Sequence, residues 1–150
     1  MKQLNKAGEN LGGFLQIWAV PKGDCYVNLN NVTFSTTENI YQIYCSPESL
    51  KFTEQPKETD AKTYYNTDVT GFLPGNKEEV KDAISAMENR WYQVIVKDAN
   101  ENFILIGTAA YPLKINAVLQ AGKNVADLSG YQINFSGKTI TRAIFINNPF

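Results

Sequence analysis

Acid–base chemistry in this chain would have to run mainly through carboxylates, because its 150 residues include no histidine. Without an imidazole, Ser-His-Asp and Cys-His nucleophilic schemes cannot be built in their usual form. The common zinc constellations lose a ligand type at the same time. Glu54, Glu58, Asp60 and Asp68 cluster along the chain, and a glycosidase needs only two such groups. A working pair needs one acid held protonated in an enclosed cleft. Here Lys57 and Lys62 stand among them, which reads as a solvated, charged face. No GxxxxGK[ST] or GxGxxG run is present, so nothing cradles a nucleotide phosphate. The expectation is a non-enzymatic protein with no cofactor and no metal.

Two other residue types deserve a reading. Cys25 and Cys45 are the only cysteines, and both sit in strand-like segments. They read as buried, reduced thiols that act as small hydrophobes. Tyr64 and Tyr65 adjoin the charged cluster, where an aromatic could pack on a partner or stack on a sugar. Successive strand residues point to opposite faces, so one of the two is expected in the core. Asn31-Val32-Thr33 and Asn134-Phe135-Ser136 fit the glycosylation sequon, but with no secretion signal beside them they read as chance.

The elements that would position these groups are mostly strands. Residues 1–13 are polar, hold Gly8, Gly12 and Gly13, and read as an N-terminal arm. Strands are expected over Phe14–Val20, Cys25–Leu29, Val32–Ser35 and Ile40–Cys45, with a tight turn at Asn30-Asn31. Residues 46–62 carry two prolines and many charges. They read as a long projecting loop or hairpin with a weak strand near Lys51–Glu54, and as removable over residues 48–61 without loss of the fold. Tyr64–Thr70 returns as a strand, and Gly71–Gly75 (GFLPG) reads as its turn.

One helix is expected, over residues 76–88. Asn76 is a suitable N-cap with Glu79 three residues on, as in a capping box. Val80, Ala83, Ile84 and Met87 recur at helical spacing and make one apolar stripe. After it come a hairpin, Arg90–Lys97 and Phe103–Gly107 around a polar five-residue loop, and an alternating strand within Pro112–Gln120. A loop over residues 122–130 and a strand over Tyr131–Ser136 follow, with a turn at Gly137-Lys138. Arg142–Ile146 is the last strand, and Asn147–Phe150 reads as an exit tail. The fold class is therefore mostly β: an antiparallel sandwich or barrel flanked by a single α-helix, in one domain over residues 14–150.

Bulk composition agrees. Hydrophobic residues are 43% and aromatics 12%, against 19% charged, a balance that folds rather than staying disordered. Fourteen basic and fifteen acidic residues leave a formal charge of −1, without the basic excess of a nucleic-acid binder. No stretch approaches the roughly 20 apolar residues of a membrane span, so no membrane partner is expected.

Gly13-Phe14 through Ile17-Trp18-Ala19-Val20-Pro21, and Gly130-Tyr131-Gln132-Ile133-Asn134-Phe135-Ser136-Gly137 followed by Ala143-Ile144-Phe145, resemble small virion proteins of Bacteroidetes-type phages and prophages. The order of elements is similar to that of phage tail-tube, tail-terminator and neck-ring proteins. The resemblance implies a structural protein, assembled in the host bacterial cytoplasm and resident in the virion. It would form a ring with copies of itself, hexameric or dodecameric, as tail tube, tail terminator or head–tail connector. It would contact neighbouring tail or neck proteins, and DNA only passively, in a channel lined by one polar sheet face. Residues 46–62 would then reach the next ring or subunit, and the interface candidates are Phe52, Glu54, Lys57, Asp60, Tyr64 and Tyr65. The alternative is a monomeric carbohydrate- or surface-binding β-sandwich that uses Tyr64, Tyr65 or Trp91 as a platform.

Overall fold

The computed structural model describes residues 2–4, 16–46, 49–98, 100–121 and 129–150. Its elements run β1 (Lys2–Leu4), β2 (Gln16–Pro21), β3 (Cys25–Asn28), β4 (Asn31–Phe34), β5 (Tyr41–Tyr44), β6 (Lys51–Glu58), β7 (Thr63–Pro74), α1 (Glu78–Met87), β8 (Trp91–Lys97), β9 (Phe103–Ile106), β10 (Leu113–Gln120), β11 (Gly130–Thr139) and β12 (Ile144–Ile146). The expected mostly-β architecture with one helix is what forms. No helix among the described residues is long and apolar enough to cross a membrane.

Most strands belong to one sheet, ordered β1-β5-β2-β8-β10-β11-β7-β6, with β9 on β8 and β12 on β9. Neighbours are antiparallel except β1 on β5. The sheet forks at β8. Val94–Lys97 pair with β9, whereas Leu113 and Lys114 of β10 pair with Tyr92 and Trp91. Gln93 lies at the fork, with Val20 as its partner on the β2 side.

Alternation along β2 and β8 serves two cores. Ile17, Ala19, Tyr92, Val94 and Val96 join β7, β10 and β11 residues and the helix stripe Val80, Ile84 and Met87 in the larger one. Trp18, Val20 and Ile95 point the other way, into a smaller core with Cys25, Val32, Phe103 and Ile146. A strand buried on both faces reads as a continuous apolar run, which is why β8 (WYQVIVK) does.

Several expected boundaries move. Of the two readings of residues 46–62 the hairpin forms, and the weak strand expected near Lys51–Glu54 is the first half of β6, an eight-residue strand paired to β7 from Lys51↔Thr70 to Glu58↔Thr63. Its single proline, Pro56, sits in the outermost strand of the sheet, where one missing donor is tolerated. Excising residues 48–61 would therefore remove a whole strand. Gly71–Gly75 is not a turn either, since β7 continues to Pro74. Gly137-Lys138 lies inside β11, and the chain turns at 140–143 instead.

The β3–β4 turn is Leu29-Asn30 rather than Asn30-Asn31, with Leu29 at φ 55°. The helix begins two residues late. Its N-cap position is Lys77, and no side chain caps it, so the Asn76–Glu79 box does not form. Of the N-terminal arm, residues 2–4 pair along β5, and residues 5–13 lie outside the described residues. So do Phe14 and Leu15 of the first expected strand and most of the expected loop from 122. The exit tail is docked. Asn147 donates its N–H to Asn30 O at 2.8 Å, and the Phe150 ring stacks on Trp18 at 4.7 Å and Phe34 at 5.4 Å.

Candidate interaction face on the β10–β11–β7–β6 sheet

The period-two geometry of strands splits this four-strand layer into two chemistries. Inward from β7 and β11 go Val69, Gly71, Leu73, Ile133 and Phe135, all buried. The opposite face is built from cross-strand rows. Lys114, Ser136, Asp68 and Thr53 make one, and Asn116, Asn134, Thr70 and Lys51 the next. Towards the hairpin tip, Lys138, Asn66 and Gln55 make a third. The face is thus mainly amide and hydroxyl groups. Four lysines (Lys51, Lys57, Lys114, Lys138) and Asp68 carry its charge.

Two of those lysines rest on rings: Lys114 Nζ lies 5.5 Å from the Trp91 ring centroid and Lys138 Nζ 5.3 Å from that of Tyr64. Such contacts hold a cation at a surface without removing its charge. In the middle of the face, the Asn134 Oδ1 atom is buried and has no hydrogen-bond partner among the described residues.

The six interface candidates separate between faces. Phe52 and Glu54 turn inward. Phe52 packs against the larger core and, with Leu50, walls a recess against Val96 and Ile104. The Glu54 side chain, only 11% exposed, accepts a hydrogen bond from the Ala143 N–H. It also faces Arg142, with Nη1 3.4 Å away. Arg142 in turn lies over Tyr65, 4.7 Å from the ring centroid.

Lys57 pairs with Tyr64 across the ladder on the polar face. Asp60 sits exposed in the turn, which Thr59 closes by donating both its N–H (2.9 Å) and its hydroxyl (3.1 Å) to Lys62 O. Tyr64 and Tyr65 do point oppositely, but neither reaches the core. Both stay half-exposed, because the hairpin tip extends past the packed layer and each ring is covered by a cation instead.

The carboxylates are not gathered into an acid pair. Glu54 pairs with Thr67 and Asp68 with Thr53, so the two occupy opposite faces. Glu58 is four strand residues beyond Glu54, about 13 Å at ~3.3 Å per residue. Among the described residues no group of three metal-binding side chains occurs. Cys25 and Cys45 are both free and buried. Burial pushes the Cys25 thiol up to about 11 and that of Cys45 up to about 12.

Both outer edges of this layer are open among the described residues. Among the described residues β6 has a ladder only to β7, and β10 beyond Lys114 has one only to β11. The open part of β10 carries Val118 and Leu119, 51% and 47% exposed. The sequence reading missed this edge and the β11 amides. Both follow from alternation within YQINFSGKT, once it is known that the strand does not stop at Gly137. No protein-family model, curated protein or solved structure matches the chain.

Proposed function

We propose that the protein is a non-enzymatic structural component of a phage virion, forming a ring in the tail or neck that encloses a DNA channel. The observation that carries this reading is the pair of unlike open edges on one sheet. Joining β6 of one copy to the open part of β10 in the next would continue the sheet from subunit to subunit. An interface of that kind is heterologous, and it makes a ring when the rotation closes.

The polar face would then run unbroken around the inside. Amides and hydroxyls give DNA little to hold, whereas a strongly basic wall would retain phosphates. Amides and hydroxyls (Ser136, Thr53, Asn116, Asn134, Thr70, Asn66, Gln55) outnumber the five charged groups on the face, which supports passage rather than grip. Tail tube, tail terminator and head–tail connector all fit these features.

The test is the mass of the purified protein by light scattering across concentration, with negative-stain imaging of large species. Rings or short tubes are expected. A strict monomer at every concentration overturns the proposal and favours the monomeric binding module, for which half-exposed Tyr64 and exposed Trp91 would be the platform.

A further inference from the structure

The β3–β4 hairpin stands apart from the rest of the fold. Among the described residues its two strands ladder only with each other, and a lone two-stranded hairpin is marginal in water. It must therefore be held by what it packs against. Of its eight strand residues only Cys25 and Val32 are buried, both in the smaller core. The seam with the main sheet is incompletely filled. A groove of about 430 Å³ is walled by Cys25 and Val27 of the hairpin and by Leu105 and Ile144 of the main sheet.

Residues Asn147–Phe150 join the two sheets across that seam. Asn147 donates twice to the end of the hairpin, from its N–H to Asn30 O and from Nδ2 to Asn31 Oδ1, both at 2.8 Å. The Phe150 ring stacks on Phe34 of the hairpin and on Trp18 of β2, so one side chain bridges both. The segment also fixes its own shape. Pro149 sets one backbone angle, and Asn148 Oδ1 accepts the Phe150 N–H at 3.0 Å. Asn147 and Phe150 are exposed, so this junction lies on the surface and not in the core.

We propose that Asn147–Phe150 is a releasable clip, and that the hairpin swings out as a unit when it lifts, uncovering Trp18, Phe34 and Phe103 as an aromatic contact surface. The turn from β2 into β3 supplies a pivot, at Gly23 with φ 94°. Openings of this kind draw on the part of a fold with the fewest buried contacts. The device is independent of ring formation, since the hairpin pairs with no strand of the β10–β11–β7–β6 layer among the described residues.

The two cysteines provide the test, because Cys25 belongs to the hairpin and Cys45 to the larger core. The full chain is treated with a maleimide carrying a polyethylene glycol too bulky for the groove, and the labelled cysteine is identified by mass spectrometry. In Phe150→Ala, Cys25 is expected to react about tenfold faster than in the wild type, the worth of one stacked aromatic pair, with Cys45 unchanged. Phe150→Tyr keeps a ring and should retain the wild-type rate. Asn147→Ala removes the bond to Asn31 Oδ1 and should speed Cys25 by a smaller factor; it decides the matter if Phe150→Ala does not fold. A Cys25 rate indifferent to both positions overturns the proposal. So does equal acceleration of the two cysteines, which would mean that the whole domain loosens.

Discussion

A methyl group on Gly71 would have no room. Its Cβ would stand 2.5 Å from Cys45 Sγ and 3.5 Å from Ile17 Cδ1, and both neighbours are fully buried. Gly71 therefore sets how closely β7 approaches β5 and β2, which explains a glycine that imitates a turn signal inside a strand. Gly71→Ala should cost about 1–3 kcal/mol through overpacking, read by urea denaturation. Adding Cys45→Ala should return part of that loss, because the two residues share one contact and their effects will not add.

The same thiol, with Cys25 and Tyr92, makes stability sensitive to alkali. Burial raises the cysteines from 9.0 to about 11 and 12, and Tyr92 from 10.0 to about 12. An acid whose folded pKa is raised keeps its proton in the folded state after the unfolded chain has lost it. Stability is then undiminished below about pH 9 and falls as pH rises towards 12. Denaturation midpoints measured from pH 8 to 11 should decline, and Cys45→Ala should flatten the decline. A slope unchanged by that substitution would remove the thiol from the account.

At the scale of elements, β6 is held by more than its ladder. Glu54 receives the Ala143 N–H just before β12, so it ties the outermost strand to the far end of the chain. Glu54→Ala would leave that donor short of its partner and should cost about 1–3 kcal/mol. Glu54→Gln keeps an acceptor and should lose less, and equal losses would show that the ion pair with Arg142 matters more. The helix answers to a different force. With Val80, Ile84 and Met87 buried and no side-chain cap, it is held by its apolar stripe. Ile84→Ala should cost about 2–5 kcal/mol, and Met87→Asp should unfold the domain by burying an unpaired charge. Circular dichroism melts would decide both, and a folded Met87→Asp would mean the stripe does not face the core.

For the whole molecule, the ring reading makes an expectation about surface residues. Val118→Lys with Leu119→Lys alters exposed side chains, so the fold should persist. Lysines on an open edge oppose strand addition, so the scattered mass should fall to that of one chain. Undiminished oligomers would place the contact elsewhere. What the sequence made legible follows from the reach of each signal. The helix stripe and the alternation of β10 and β11 are local patterns, and they were readable. β6 was readable only over its first half, Lys51–Glu54, because an outermost strand half in water resembles a charged loop. The fork of the sheet was not readable, which leaves Gln93 looking like one polar residue in an apolar run. The open edges belong to the same class, since edge status is a property of the order of strands and not of any one of them.

The two tryptophans are placed so differently that the protein carries a pair of separable optical reporters. Trp18 is 4% exposed and lies under the ring of Phe150, so its emission should be blue, shielded, and altered when the C-terminal residues lift away. Trp91 is 46% exposed beside the ammonium of Lys114, which should draw a quenching anion such as iodide towards it. Iodide should extinguish the red part of the emission and spare the rest, and Trp91→Phe should leave a spectrum that iodide barely touches. Undocking of the C-terminus and occupation of the polar face could then be followed in one cuvette, each by its own colour.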